Sequence, residues 1–251
     1  LPGGEALRRR TAQITSNAAG GREYAPGDPL NRIHWLSTAR RDRMMVKEFE
    51  LDPLAEVWLF VDGSHSVHAE LPYEAPVYDL QDIWRPRAKF SLPPSSVEYT
   101  ASTAASLARY FIGRGRAVGM VSAGPFLKIL PSERGNRQLG KLLEALALFR
   151  AEGNVPLSGL IEAQARHLPR GSTVVFITPA ATRDVVISAD FLLRSGLRPV
   201  AVVLDSASFG GYYGVDKIAP DLEALGIPVF RVRNGDDLGA VLSVPQTPFT
   251  F

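Results

Sequence analysis

The chain reads as an α/β protein built on a doubly wound, mostly parallel sheet, and three observations predict it. An unbroken apolar run, Val57-Trp58-Leu59-Phe60-Val61, ends abruptly in Asp62-x-Ser64-x-Ser66; a run of that length without polar alternation is what a strand covered on both faces requires. Downstream, apolar runs of strand length alternate with segments of helical spacing, the pattern of strands joined by crossover helices. With 251 residues, 45% of them hydrophobic, there is enough chain to bury a sizeable core.

Taken in order, residues 1–21 are rich in Gly, Arg, Ser, Thr and Asn without periodicity and read as a linker or extended arm. Residues 22–243 read as the folded domain. In it Arg22-Glu23-Tyr24-Ala25-Pro26-Gly27-Asp28 supplies a Pro-Gly turn, and Ile33 to Arg41 is expected to form a short helix that sets aromatic and basic groups side by side. Met44 to Glu50 is expected as a strand beside the central one. Residues 67–96 carry Pro72, Pro76, Pro86, Pro93 and Pro94 with Tyr73, Tyr78 and Trp84, a long loop insertion of the kind that is often functional.

From Val97 the spacing predicts a helix to Gly113, strands over 117–122 and 126–130 joined through Gly124-Pro125, and helices over 135–149 and 156–167. A strand over 173–178, a helix over 184–195, a strand over 199–204, a helix over 215–225, a strand over 228–232 and a short helix from Asp236 complete the pattern. Residues 244–251, with Pro245 and Pro248, read as a flexible tail.

Ligands of a parallel sheet bind outside the carboxyl ends of its strands, and the polar cluster after Val61 lies at such an end. Asp62, Ser64 and Ser66 can aim three oxygens at one point, a donor set that a hard cation such as Mg²⁺ accepts. The same three residues can instead close an Asx turn and cap the next segment. Arg22, Asp28, Arg32, His34 and Arg40 likewise read either as a binding motif or as an ion-pair network. The loop over residues 67–96 is expected to form a lip or lid above Asp62, or simply to pack over the sheet edge.

Composition removes several function classes. There is no cysteine, so disulfides, thiolate metal sites and cysteine nucleophiles are excluded. The net charge of +2 gives no reason to expect a nucleic-acid partner, even with Arg8-Arg9-Arg10 and a pI near 9.0. No Gly-x₄-Gly-Lys-Ser/Thr loop is present, and Gly63-Ser64-His65-Ser66 is not a Gly-x-Ser-x-Gly elbow. His65, His68 and His167 have no metal or triad spacing. No apolar run approaches the length that spans a bilayer. The chain begins at Leu1 rather than Met and is read as a soluble fragment, with any targeting or membrane segment expected upstream.

The block Arg22-x-Tyr24-x-Pro26-Gly27-Asp28, Arg32-Ile33-His34-Trp35, Thr38-Ala39-Arg40 and Val46-Lys47-Glu48-Phe49-Glu50, followed by the strand and Asp62-x-Ser64-x-Ser66, resembles the bacterial domain of unknown function 58 family. The resemblance implies a Rossmann-like, von Willebrand factor type A-like sheet with a metal-ion-dependent adhesion site. It also implies two membrane helices ahead of this part, a place on the cytoplasmic face of the bacterial inner membrane, and a MoxR-type AAA+ ATPase partner in complex assembly. A complete adhesion site adds a threonine and an aspartate from two further loops. Val155 and Pro179 align there, so the site is degenerate, with Thr178 and Asp205 as the nearest compensating oxygens. The expected function is a non-catalytic protein-interaction domain, with Arg22, Tyr24, Asp28, Arg32, Trp35 and Arg40 as partner-binding or structural residues. The alternative is a hydrolase or small-ligand enzyme using the crevice at Asp62.

Overall fold

The computed structural model describes residues 20–23, 38, 43–48, 56–74, 92–212 and 214–243. The chain divides into two compact units, Leu1–Pro53 and Leu54–Phe251. In the first unit, β1 (Gly20–Glu23) pairs antiparallel with β2 (Met45–Glu48), Gly20 opposite Glu48 and Glu23 opposite Met45. One expectation is corrected here: the strand within 44–50 pairs with β1, not with the central strand. Both sides of the central strand are filled by other parallel partners. Of the helix expected over 33–41, only Thr38 is among the described residues, and it is helical.

The second unit holds six strands in the order β5-β4-β3-β6-β7-β8. They are β3 (Val57–Val61), β4 (Val118–Ala123), β5 (Leu127–Glu133), β6 (Thr173–Thr178), β7 (Arg198–Leu204) and β8 (Val229–Val232). Every pairing is parallel except β4 with β5. The central β3 is buried along its whole length, and alternation splits it between two cores. Val57, Leu59 and Val61 face α1 (Ser96–Gly113), α2 (Asn136–Ala147) and the short α6 (Leu238–Val241). Trp58 and Phe60 face α3 (Leu157–Gln164), α4 (Arg183–Arg194) and α5 (Ala219–Ala224). Helices on both faces explain why β3, β6 and β7 carry apolar runs rather than alternation.

The edge strand β5 departs from that rule for a physical reason. It extends to Glu133, beyond the expected end at 130, and leaves Leu127 and Ile129 exposed. Its Lys128 and Pro131 are residue types that blunt an open edge. The helix expected over 215–225 is broken into a 3₁₀ turn, Val215–Lys217, and α5, because Pro220 starts a new helix in its first turn. The helix expected over 156–167 ends at Gln164 and tightens into a 3₁₀ turn, Ala165–His167. Among the described residues no helix is long and apolar enough to cross a membrane.

Leu59 is fully buried, and Leu59→Ala should lower stability in urea unfolding by about 2–5 kcal/mol. Gly140 sits inside α2 with open space where a Cβ would stand, so Gly140→Ala should raise it by about 0.5–1 kcal/mol in the same assay.

Candidate functional site

The chain leaves β3 toward α1 on one face and leaves β6 toward α4 on the other. Neighbouring parallel strands whose connections part in this way open a crevice at their carboxyl ends. Asp62 ends β3 and Thr178 ends β6, and the two meet in that crevice. The Thr178 hydroxyl donates to Asp62 Oδ2 at 2.5 Å and accepts the Ala180 N–H at 2.9 Å. Asp62 Oδ1 accepts the Ser64 N–H at 3.0 Å, an Asx turn. Asp62 is only 1% exposed and Ser64 only 3%, so the carboxyl group is held inside the protein and both its oxygens are occupied.

Backbones close over this pair. Ser64 bridges to Gly153 in parallel, with the His65 N–H donating to the Gly153 carbonyl and the Gly153 N–H to the Gly63 carbonyl, both at 2.9 Å. A Cβ on Gly153 would lie 2.1 Å from the Ala123 carbonyl oxygen, and one on Gly63 2.6 Å from the same atom. Only glycine permits three chain segments to cross so closely.

The residues expected from sequence therefore separate. Asp62 and Ser64 are buried, while Ser66 is exposed. Val155 is 47% exposed beside the Ser64 turn, and Pro179 is buried after Thr178. Thr178 hydrogen-bonds Asp62, and Asp205 Oδ2 pairs with Arg233 Nε at 3.2 Å. Arg22 lies in β1, and Tyr24, Asp28, Arg32, His34, Trp35 and Arg40 are outside the described residues.

This donor set brings one carboxyl group, and among the described residues no group of three or more His, Asp or Glu side chains could hold a metal ion. The buried Ser64 Oγ has no partner, and each Asp62 oxygen already accepts one hydrogen bond from the protein. One carboxylate and one hydroxyl are a sparse donor set for Mg²⁺, which would keep most of its water there. No histidine reaches the Ser64 hydroxyl: His65 Nδ1 lies 3.1 Å from the Gly153 carbonyl, and the serine that His68 meets is the fully buried Ser96.

His68 is the residue that spacing alone could not place. Its Nε2 lies 2.9 Å from the Asp62 carbonyl and its Nδ1 3.0 Å from Ser96 Oγ, which also accepts the Ala69 N–H at 2.9 Å. A carbonyl only accepts, so Nε2 carries the proton and Nδ1 takes the Ser96 hydroxyl hydrogen: the network suits the neutral ring. Burial pushes the His68 pKa below its ordinary 6.5, against the opposing pull of the Asp62 carbonyl and charge. Its partner Ser96 is the first residue of α1, 28 positions away, and local spacing carries no signal for the pair.

Thr178→Val should cost about 1.5–3 kcal/mol in denaturant unfolding. Its effect should be less than additive with Asp62→Ala, which removes the group left unpaired. Because the folded-state pKa of His68 is lowered, the unfolded chain binds the extra proton first. Stability should be constant above about pH 6.5 and fall as pH drops below it. Thermal unfolding of His68→Gln against pH should flatten that slope.

Comparison with known proteins meets this geometry at the same residues. Residues 20–70 match the family described as "Protein of unknown function DUF58", a span that takes in β1, β2, β3, Asp62 and His68. The uncharacterized protein YeaD of Bacillus subtilis (strain 168) is 25% identical over 177 residues, 70% of this chain but only 37% of that protein. Of solved structures, the conserved hypothetical protein BatB from Bacteroides thetaiotaomicron superposes with a TM-score of 0.51 at 14% identity, over 75% of this chain and 94% of that one. An aerotolerance-related membrane protein from Bacteroides fragilis NCTC 9343 gives a TM-score of 0.48 at 16% identity, over 76% and 96%. Residues 20–70 thus match the DUF58 family model, and they lead into an α/β sheet whose fold the BatB structure shares.

Proposed function

We propose that this chain is a non-catalytic protein-interaction domain with a degenerate metal-ion-dependent adhesion site. In the full-length protein it is anchored at the cytoplasmic face of the bacterial inner membrane and acts with a MoxR-type AAA+ ATPase in complex assembly. The observation that carries the reading is the switch-point crevice itself. Its interior is closed by the Asp62–Thr178 bond, while Ser66, Asn154 and Val155 stand exposed around it. A rim of that kind can contact a surface but offers no nucleophile paired with a base. The chain spans 37% of the length of YeaD, so the anchor and the ATPase are statements about a longer protein. No observation favours the hydrolase reading.

The test is co-purification of the full-length protein with the MoxR-type ATPase of the same organism. Capture should persist in EDTA and should drop at least about tenfold for Val155→Asp, a change at an exposed apolar contact position, with unchanged thermal unfolding. Capture absent from the wild type, or lost on chelation, would overturn the proposal.

A further inference from the structure

A second surface lies at the foot of the long loop. The segment 67–96 leaves and returns at one place: Glu70 bridges antiparallel to Ser95, the Leu71 N–H donates to the Pro94 carbonyl at 3.0 Å, and the Ser96 N–H donates to the Ala69 carbonyl at 2.9 Å. Between these two strands of chain and the first turn of α1 runs a groove of about 440 Å³. Its apolar wall includes Leu71, 39% exposed, and Tyr73, 44% exposed, with Pro72, Pro93 and Pro94.

Among the described residues the charges lining the groove are of one sign: Glu70 and Glu98 both line it and both are exposed, and no described Lys, Arg or His does. Ser95 and Glu98 have the spacing of a capping box, but the Ser95 side chain makes no cap hydrogen bond. The helix N-terminus accounts for a carboxylate at Glu98; it does not account for one at Glu70. Neither glutamate has a cationic partner among the described residues.

We propose that this groove docks an extended cationic peptide segment of a partner protein. An Arg or Lys head sits between Glu70 and Glu98, and its aliphatic stem lies along Tyr73 and the prolines. The three lining prolines lack N–H donors, so specificity rests on side chains rather than on strand addition. Arginine suits both features, pairing with carboxylates through its planar fork and stacking on an aromatic ring. The inference gives the interaction reading a second contact surface, and its outcome can be read separately from that reading.

The probe is a fluorescein-labelled hexapeptide in which two arginines flank a proline and a leucine, titrated into the chain at low salt and followed by anisotropy. Saturable binding is expected. It should weaken about tenfold in Glu70→Gln/Glu98→Gln and weaken further at 0.15 M salt. It should vanish when glutamates replace the arginines in the probe. Val155→Asp should leave it unchanged even though that variant loses the ATPase. Thermal unfolding of the double glutamine variant verifies its fold. No saturable binding, equal binding of the acidic probe, or equal binding by the double glutamine variant would each overturn the proposal.

Discussion

The fold of this site depends on one buried hydrogen bond, from Thr178 to Asp62 across the carboxyl ends of the two central strands. A carboxyl group taken out of water is costly unless its oxygens are satisfied. Here one oxygen is met by the Thr178 hydroxyl and the other by the Ser64 N–H. That satisfaction fixes the direction in which the chain leaves β3. It turns Gly63 against Gly153, brings the segment after α2 onto the end of β4, and aims the Asp62 carbonyl at His68. The crevice between β3 and β6 is thereby filled by the protein's own polar groups.

The same bond organises the loop that follows. His68 reads the Asp62 carbonyl on one side and Ser96 on the other, so the start of the long segment and the start of α1 are held against the end of β3. The insertion is pinned at its base by local hydrogen bonds, and loops closed in this way tolerate length at little extra entropic cost. The base can therefore carry a surface of its own without disturbing the sheet.

Much of this architecture was legible in the residues. The unbroken apolar runs of β3, β6 and β7 announced strands covered on both faces, and the strand over 173–178 was placed to the residue because turn residues flank it. Where local pattern and tertiary context part, the reading drifted. The alternating segment around Val46 is a strand, but nothing in it names its partner, and it pairs with Gly20–Glu23. Lys128 and Pro131 mark β5 as an edge only once the strand order is known. In the site, the Asx turn of Asp62 was readable from spacing. Its bond to Thr178 joins residues 116 positions apart, a distance that only the strand order closes. His68 looked ordinary because its partners are a backbone carbonyl and a serine 28 positions away.

The positions occupied by Val155 and Pro179 say what the site has become. A divalent cation in such a crevice is held by several negative groups that stay open to exchange with water. Pro179 supplies none, and the N–H that follows it, on Ala180, turns inward to Thr178. Asp62 is buried and has exchanged water for protein donors at both oxygens. Glu70 and Glu98 are the opposite case: they remain solvated at the surface, so a cationic partner can strip their water at modest cost and gain the full contact. On this chemistry the solvated carboxylates lie at the foot of the loop, and the hydrogen bonds of His68 tie that foot to the end of β3.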